Sequence, residues 1–154
     1  QELNEGKLKP LKDRIQKYQT FNMLIKQIKS LYLKRVKNLR RGKKFSGFEE
    51  DYGRQVGPIL QELIIDNHHK HQEFLAKDIT NAKSYEKLLI FGKQIGEMAS
   101  DMVTMTMRKK KVNRKSRNRL KKLFTKRADD LATQADIRVK KLGEQIKTIK
   151  NQPI

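Results

Sequence analysis

The sequence predicts an all-α protein, a single up-down bundle of four long helices. Two observations carry this. Apolar residues recur every three to four positions through four long segments, the period of a helix that buries one face. The composition agrees: 35% of the 154 residues are charged, and there are only eight Gly and three Pro. No stretch shows strand-like alternation, and this is the profile of long helices laced with solvent-facing charge. The length suits one domain with one modest core, so residues 1–154 are expected to form one bundle, with 1–9 and 150–154 frayed.

The first helix is expected from about Pro10 to Arg41, stopping near Gly42. Its core face is Leu11, Ile15, Tyr18, Ile25, Ile28, Tyr32, Val36 and Leu39, with Leu24 and Leu31 off-centre and Met23 pointing away. The second opens with Ser46-Gly-Phe-Glu49, a capping box in which Ser and Glu satisfy free backbone N–H groups. Phe48, Tyr52, Ile59, Leu63, Phe74 and Leu75 form its apolar face. Gly57-Pro58 predicts a kink or break there, because Pro lacks a backbone donor. This helix is expected to end near Ile79, with Thr80 or Asn81 capping the next. The third starts near Lys83 and buries Tyr85, Leu88, Leu89, Ile95, Ala99, Met102 and Val103. The fourth begins inside a basic stretch and shows Leu120, Phe124, Leu131, Ala135, Val139, Leu142, Ile146 and Ile149, leaving 151–154 as a tail.

Charge dominates the chain: 37 Lys and Arg against 17 Asp and Glu, a net +20. Such a field resists self-association and draws in anionic partners, less so as salt rises. It is unevenly spread. KRVKNLRRGKK, 34–44, has seven cations in eleven residues, and RKKKVNRKSRNRLKK, 108–122, has ten in fifteen. In an up-down bundle both links lie at one end, so two runs distant in sequence make one positive pole. The candidate anionic-surface residues are therefore Lys34, Arg35, Lys37, Arg40, Arg41, Lys43, Lys44, Arg108, Lys109, Lys110, Lys111, Arg114, Lys115, Arg117, Arg119, Lys121 and Lys122. The plainer reading is that these are solvated helix ends.

Little in the sequence suggests catalysis. His68, His69 and His71 are the histidines, and His68 and His71 stand one turn apart. A metal site would need further ligands, Asp66 and Glu73 are nearby but unspecific, and there is no cysteine. Glu49, Glu50 and Asp51 suit a helix N-terminus rather than a catalytic cleft. No phosphate-cradling glycine loop and no nucleophile–base set can be read, so neither an enzyme nor a cofactor or metal is expected. The third helix holds one further feature. Leu88 to Phe91 is LLIF, more apolar residues in a row than one face buries, and Phe91, Met98 and Met105 recur every seven positions. With Ile90 they form a second stripe. It is either a wide core face filled with adaptable Met or an exposed apolar patch for a partner or bilayer.

Three segments carry a resemblance. VKNLRRGKKFS (36–46) has a basic helix end, a Gly, further basic residues and a Ser opening the next helix. NHHKHQEFLAKDI (67–79) has a His before an apolar, basic stretch ending in Ile. YEKLLIFGKQIGEM (85–98) has Tyr, a basic residue and Leu, followed by Gly, two polar residues and Ile. Over about residues 21–102 the chain resembles the gastropod sperm lysin family. The absence of Trp and the basic stretch after Met107 depart from lysin proper and resemble the larger fusagenic paralogue more closely. The resemblance implies a small, secreted, basic helical bundle stored in the sperm acrosomal vesicle, acting in fertilisation without bond cleavage. A start at Gln1 fits a mature secreted chain after signal removal, and equally a trimmed one.

The leading expectation is therefore a membrane-active protein of sperm–egg contact. Its basic pole attracts an anionic membrane, and Phe91, Met98 and Met105 insert. The alternatives are lysin-like binding to an egg-envelope glycoprotein, a nucleic-acid-binding module, and a basic subunit of a larger assembly. Aromatics are 6% of residues, too few for a stacking platform, and no DNA-reading motif is visible, which sets nucleic acid second.

Overall fold

In the computed structural model, residues 2–40, 47–107 and 112–152 are described. They form five helices: α1 (Glu2–Arg40), α2 (Phe48–Gln55), α3 (Gly57–Leu75), α4 (Ile79–Met107) and α5 (Arg114–Lys150), with no strand among the described residues. The all-α expectation holds. The expected second helix is two helices, and the break is where Pro58 predicts it. Pro58 has no N–H for the Arg54 carbonyl, so the chain turns at Val56 and restarts with Pro near the first turn of α3, where no donor is needed. Val56 is buried at the joint, and its carbonyl accepts from Leu60 N at 2.9 Å.

Side-chain pairs fix the direction of each leg. Lys29 meets Asp129 and Asn22 meets Asp136, so α1 and α5 run antiparallel. Asp13 meets Tyr85, and Tyr18 and Phe21 meet Phe91, so α1 and α4 run parallel. Gly92 faces Ile64 and Gly96 faces Leu60, so α3 and α4 form an antiparallel hairpin. This is an up-down order in which α2 and α3 share one leg. It brings the C-terminal end of α1 beside the start of α5, where Val112 N donates to the Leu39 carbonyl at 3.2 Å.

Several boundaries differ from expectation. α1 begins at Glu2, not Pro10. Pro10 lacks a donor for the Gly6 carbonyl, but Gly6 is exposed with nothing packed against it, and buried Leu8 holds the added turns. α4 begins at Ile79 because Asp78, rather than Thr80 or Asn81, caps it. Its Oδ1 accepts from the N–H groups of Thr80 and Asn81, and a carboxylate suits a helix N-terminus. The N-cap of α2 is Gly47 at φ +90°, a conformation that favours Gly, and the Arg35 guanidinium lies where a Cβ would stand, 2.7 Å away. Ser46 of the expected capping box lies outside the described residues. α5 is capped by Asn113, whose side chain accepts from Ser116 N at 2.8 Å, and it ends at Lys150.

The core is wider than one stripe per helix. Leu24 and Leu31, read as off-centre, are buried, whereas Ile59 and Leu75, read as core, are exposed. Phe91 and Met98 are also buried, 3% and 0% exposed, so at these two positions the wide core face holds and the exposed patch is corrected, while Ile90 and Met105 remain exposed. The cause is close packing on two sides. Gly92 stands against both α1 and α3: a Cβ there would lie 2.9 Å from Ile64 Cγ1 and 3.2 Å from Phe21 Cζ. That approach turns a broad arc of α4 inward. Phe91 then packs between the rings of Tyr18 and Phe21, with centroids 5.7 and 5.6 Å away. Burying such a side chain stabilises the fold by about 1.5–3 kcal/mol.

Candidate anionic-surface interface

The Val112–Leu39 hydrogen bond joins the flanks of the two basic runs. Around it, Lys34 and Lys37 on α1 are exposed, as are Arg114, Lys115, Arg119 and Lys122 on α5, with Lys121 half-buried. None of these seven is in an ion pair with another described residue. Thus the end of the bundle where α1 and α5 meet carries unneutralised cations from both runs, as the up-down order requires. Arg41, Lys43, Lys44, Arg108, Lys109, Lys110 and Lys111, and the side chain of Arg40, lie outside the described residues.

Two of the expected surface cations have other roles. Arg35 is ion-paired with buried Asp51, which also binds Arg54 at 3.0 Å. The hydrogen bond from Arg35 comes first among the causes that hold the Asp51 carboxyl below its ordinary range, against a desolvation cost. This bridge fastens α2 to α1 beside Gly47. Arg117 is buried, because it stands three residues before Leu120 and seven before Phe124, on the inward face of α5. Cations at core spacing are the signal that separates these two from the surface set.

Apolar groups at this end come from a different place than the sequence suggests. Asp101 and Arg127 bond across α4 and α5 at 2.8 Å. One turn nearer the basic end stand Met105 on α4 and Leu123 on α5, 43% and 51% exposed. In antiparallel helices these two positions share a register. The end therefore presents an apolar pair beside its cations, made of one residue the sequence singled out and one it did not. Ile90 is exposed too, but lies mid-helix, away from this end.

An open groove of about 610 Å³ runs along α1 and α5 toward the same end. Lys26, Lys29, Lys34 and Lys37 line it with Ile25, Leu33 and Ala132, and Asp129 there is occupied by Lys29. Elsewhere, Lys17 is buried between Asp13 and Asp66, with its ammonium 5.0 Å from the Tyr85 ring. Tyr85 donates to Asp13 at 2.6 Å, and burial pushes its pKa up. Sequence reading missed this network, although Arg14 and Lys17 sit at core spacing between Leu11 and Tyr18. Of the histidines, His71 Nδ1 bonds the Ala82 carbonyl at 2.8 Å and so ties α3 to α4, while His68 and His69 face solvent. Among the described residues no three His, Asp or Glu side chains gather as a metal cage, and no helix is long and apolar enough to cross a membrane.

This arrangement can hold a negatively charged surface at one end of the bundle and press two apolar side chains against it. Comparison with known proteins finds no matching family model, no matching characterised protein and no matching solved structure.

Proposed function

We propose that the chain is a non-enzymatic, cationic helical bundle that binds anionic membranes through the α1–α5 end. Its setting would be sperm–egg contact, after secretion from the acrosomal vesicle. The observation that carries the binding half is the Val112–Leu39 hydrogen bond, which brings the flanks of both basic runs to one place. The gamete setting rests on the likeness of residues 36–46, 67–79 and 85–98 to the sperm lysin family. In this reading the cations of α1 and α5 attract the bilayer, each contributing roughly 1 kcal/mol near an anionic surface. Met105 and Leu123 then enter the interface in place of the buried Phe91 and Met98.

A second reading, binding to an acidic egg-envelope glycoprotein, is favoured by the lysine-lined groove between α1 and α5. An extended polyanion fits a groove better than a flat membrane does.

Co-sedimentation with vesicles containing phosphatidylserine separates the readings. The expected result is binding that weakens as salt rises. Replacing Arg114, Lys115 and Lys122 together by Gln should weaken it on the order of 10- to 100-fold. Loss of binding only on replacing Lys26 and Lys29 would favour the groove and the glycoprotein. Indifference to vesicles at low salt, with tight binding to a short DNA duplex, would instead make this a nucleic-acid-binding module.

A further inference from the structure

At the other end of the bundle, α1, α4 and α5 enclose a second basic feature. We propose that this small hollow is a binding site for a single phosphate or sulfate monoester group. Arg14 of α1, Lys87 of α4, and Arg138 and Lys141 of α5 line a space of about 200 Å³, together with Tyr18 and Ser84. The site is independent of the proposed membrane-binding end: Arg138 lies about 36 Å along α5 from Arg114 by the helical rise.

The case is one of missing counter-charge. No carboxylate lines the hollow, and none of its four cations is ion-paired with a described residue. The two carboxylates whose charge acts on Arg14 are committed elsewhere. Asp13 holds Lys17 and the Tyr85 hydroxyl, and Asp78 caps α4. Contrast Lys17, Lys29 and Arg35, which are buried or half-buried and each have an Asp. Arg14 is 6% exposed, yet its one hydrogen bond to a described residue runs from Nε to the Pro10 carbonyl at 3.3 Å. Its guanidinium is otherwise held by packing 6.0 Å from the Tyr85 ring, and Arg138 lies 5.8 Å from the Tyr18 ring. Two guanidiniums are thus fixed by aromatic walls before any ligand arrives.

Burial without a counter-ion is costly, and a bound anion removes that cost. The chemistry selects the anion. Guanidinium forks match pairs of oxygens on one centre, and cations converging from three helices suit a tetrahedral group with oxygens on several sides. The volume admits one such group and not a polymer. A free phosphomonoester and a lipid headgroup share that chemistry.

Isothermal titration of the full chain with sodium phosphate and sodium sulfate, in a constant low chloride background, tests the site. Saturable one-to-one binding is expected. Arg138→Gln and Lys141→Gln should each weaken it at least tenfold, whereas Lys34→Gln with Lys37→Gln should change it less than twofold. Lys87 and Lys141 are exposed, so Gln at either keeps the test valid if Arg138→Gln unfolds the chain, which circular dichroism reports. Competition then names the source. Displacement of phosphate by vesicles bearing phosphatidylinositol 4-phosphate supports a headgroup, and displacement by glucose 6-phosphate but not by vesicles supports a soluble ligand. Heats that never saturate, or equal loss in the two sets of variants, would overturn the proposal, because the general positive field would then suffice.

Discussion

Phe91 and Met105 share one helix and one heptad stripe, yet the first is 3% exposed and the second 43%. The difference lies in what stands beside α4 at each level. At Phe91 the helix is pressed by α1 and α3 together, and Gly92 lets both approach. At Met105 the neighbour across the register is α5, with the Asp101–Arg127 pair one turn below and solvent above. A stripe in sequence is therefore not a surface. Whether it is seen by a partner depends on how many helices crowd it, and that number changes along a single helix.

The contrast breaks most readily at Phe91. Phe91→Ala should cost about 3–5 kcal/mol in urea unfolding, as for other buried aromatics. A loss under 1 kcal/mol would mean that this level of α4 is not enclosed.

At the basic end, Asp51→Asn should lower the midpoint of thermal unfolding by freeing the Arg35 and Arg54 guanidiniums, and it should change the acid limb. The carboxyl of Asp51 titrates below its ordinary range when folded, so the unfolded chain takes up its proton first as pH falls. The stabilisation is complete above the ordinary carboxylate range and disappears as pH drops through the folded value. The variant should lack this component of acid sensitivity, and an unchanged acid limb would detach Asp51 from it.

Gly92→Ala sharpens the packing side. In an open helix that change gains up to about 1 kcal/mol. Here the new methyl meets Ile64 and Phe21, so a net loss of about 1 kcal/mol is expected from the same unfolding curves. A gain would show that α1 and α3 yield easily.

The smallest effect on stability belongs to the outer pair. Met105→Ser and Leu123→Ser should each stay within about 0.5 kcal/mol of the parent. In vesicle assays, however, the double variant should still bind anionic lipid while mixing lipids less. Undiminished mixing would remove the pair from the mechanism.

How much of this was legible beforehand follows the same division. The centres of the faces on α1 and α5, the Pro58 break and the meeting of the end of α1 with the start of α5 were readable, because periodicity, a missing donor and chain reversal follow from simple rules. The width of the core at Leu24, Leu31, Phe91 and Met98 was not, since it depends on Gly92 and on which helices flank α4. Nor was the fate of single cations. Lys17, Arg35 and Arg117 stand at core spacing, but the carboxylate or core neighbour that takes each of them comes from a distant segment and is not readable in the run itself.

The most direct test places a reporter on the proposed contact. The chain has no cysteine, so single cysteines at Met105, Leu123, Ile90 and Ile137 can each carry an environment-sensitive nitrobenzoxadiazole dye. Ile90 and Ile137 are exposed to the same degree as the pair, at 49% each, but stand away from the α1–α5 end. On adding vesicles rich in phosphatidylserine, the dyes at 105 and 123 should shift to the blue and be quenched by brominated lipid, while those at 90 and 137 stay as in buffer. Equal shifts at all four sites, or shifts at 90 and 137 alone, would contradict the claim that this end of the bundle meets the membrane.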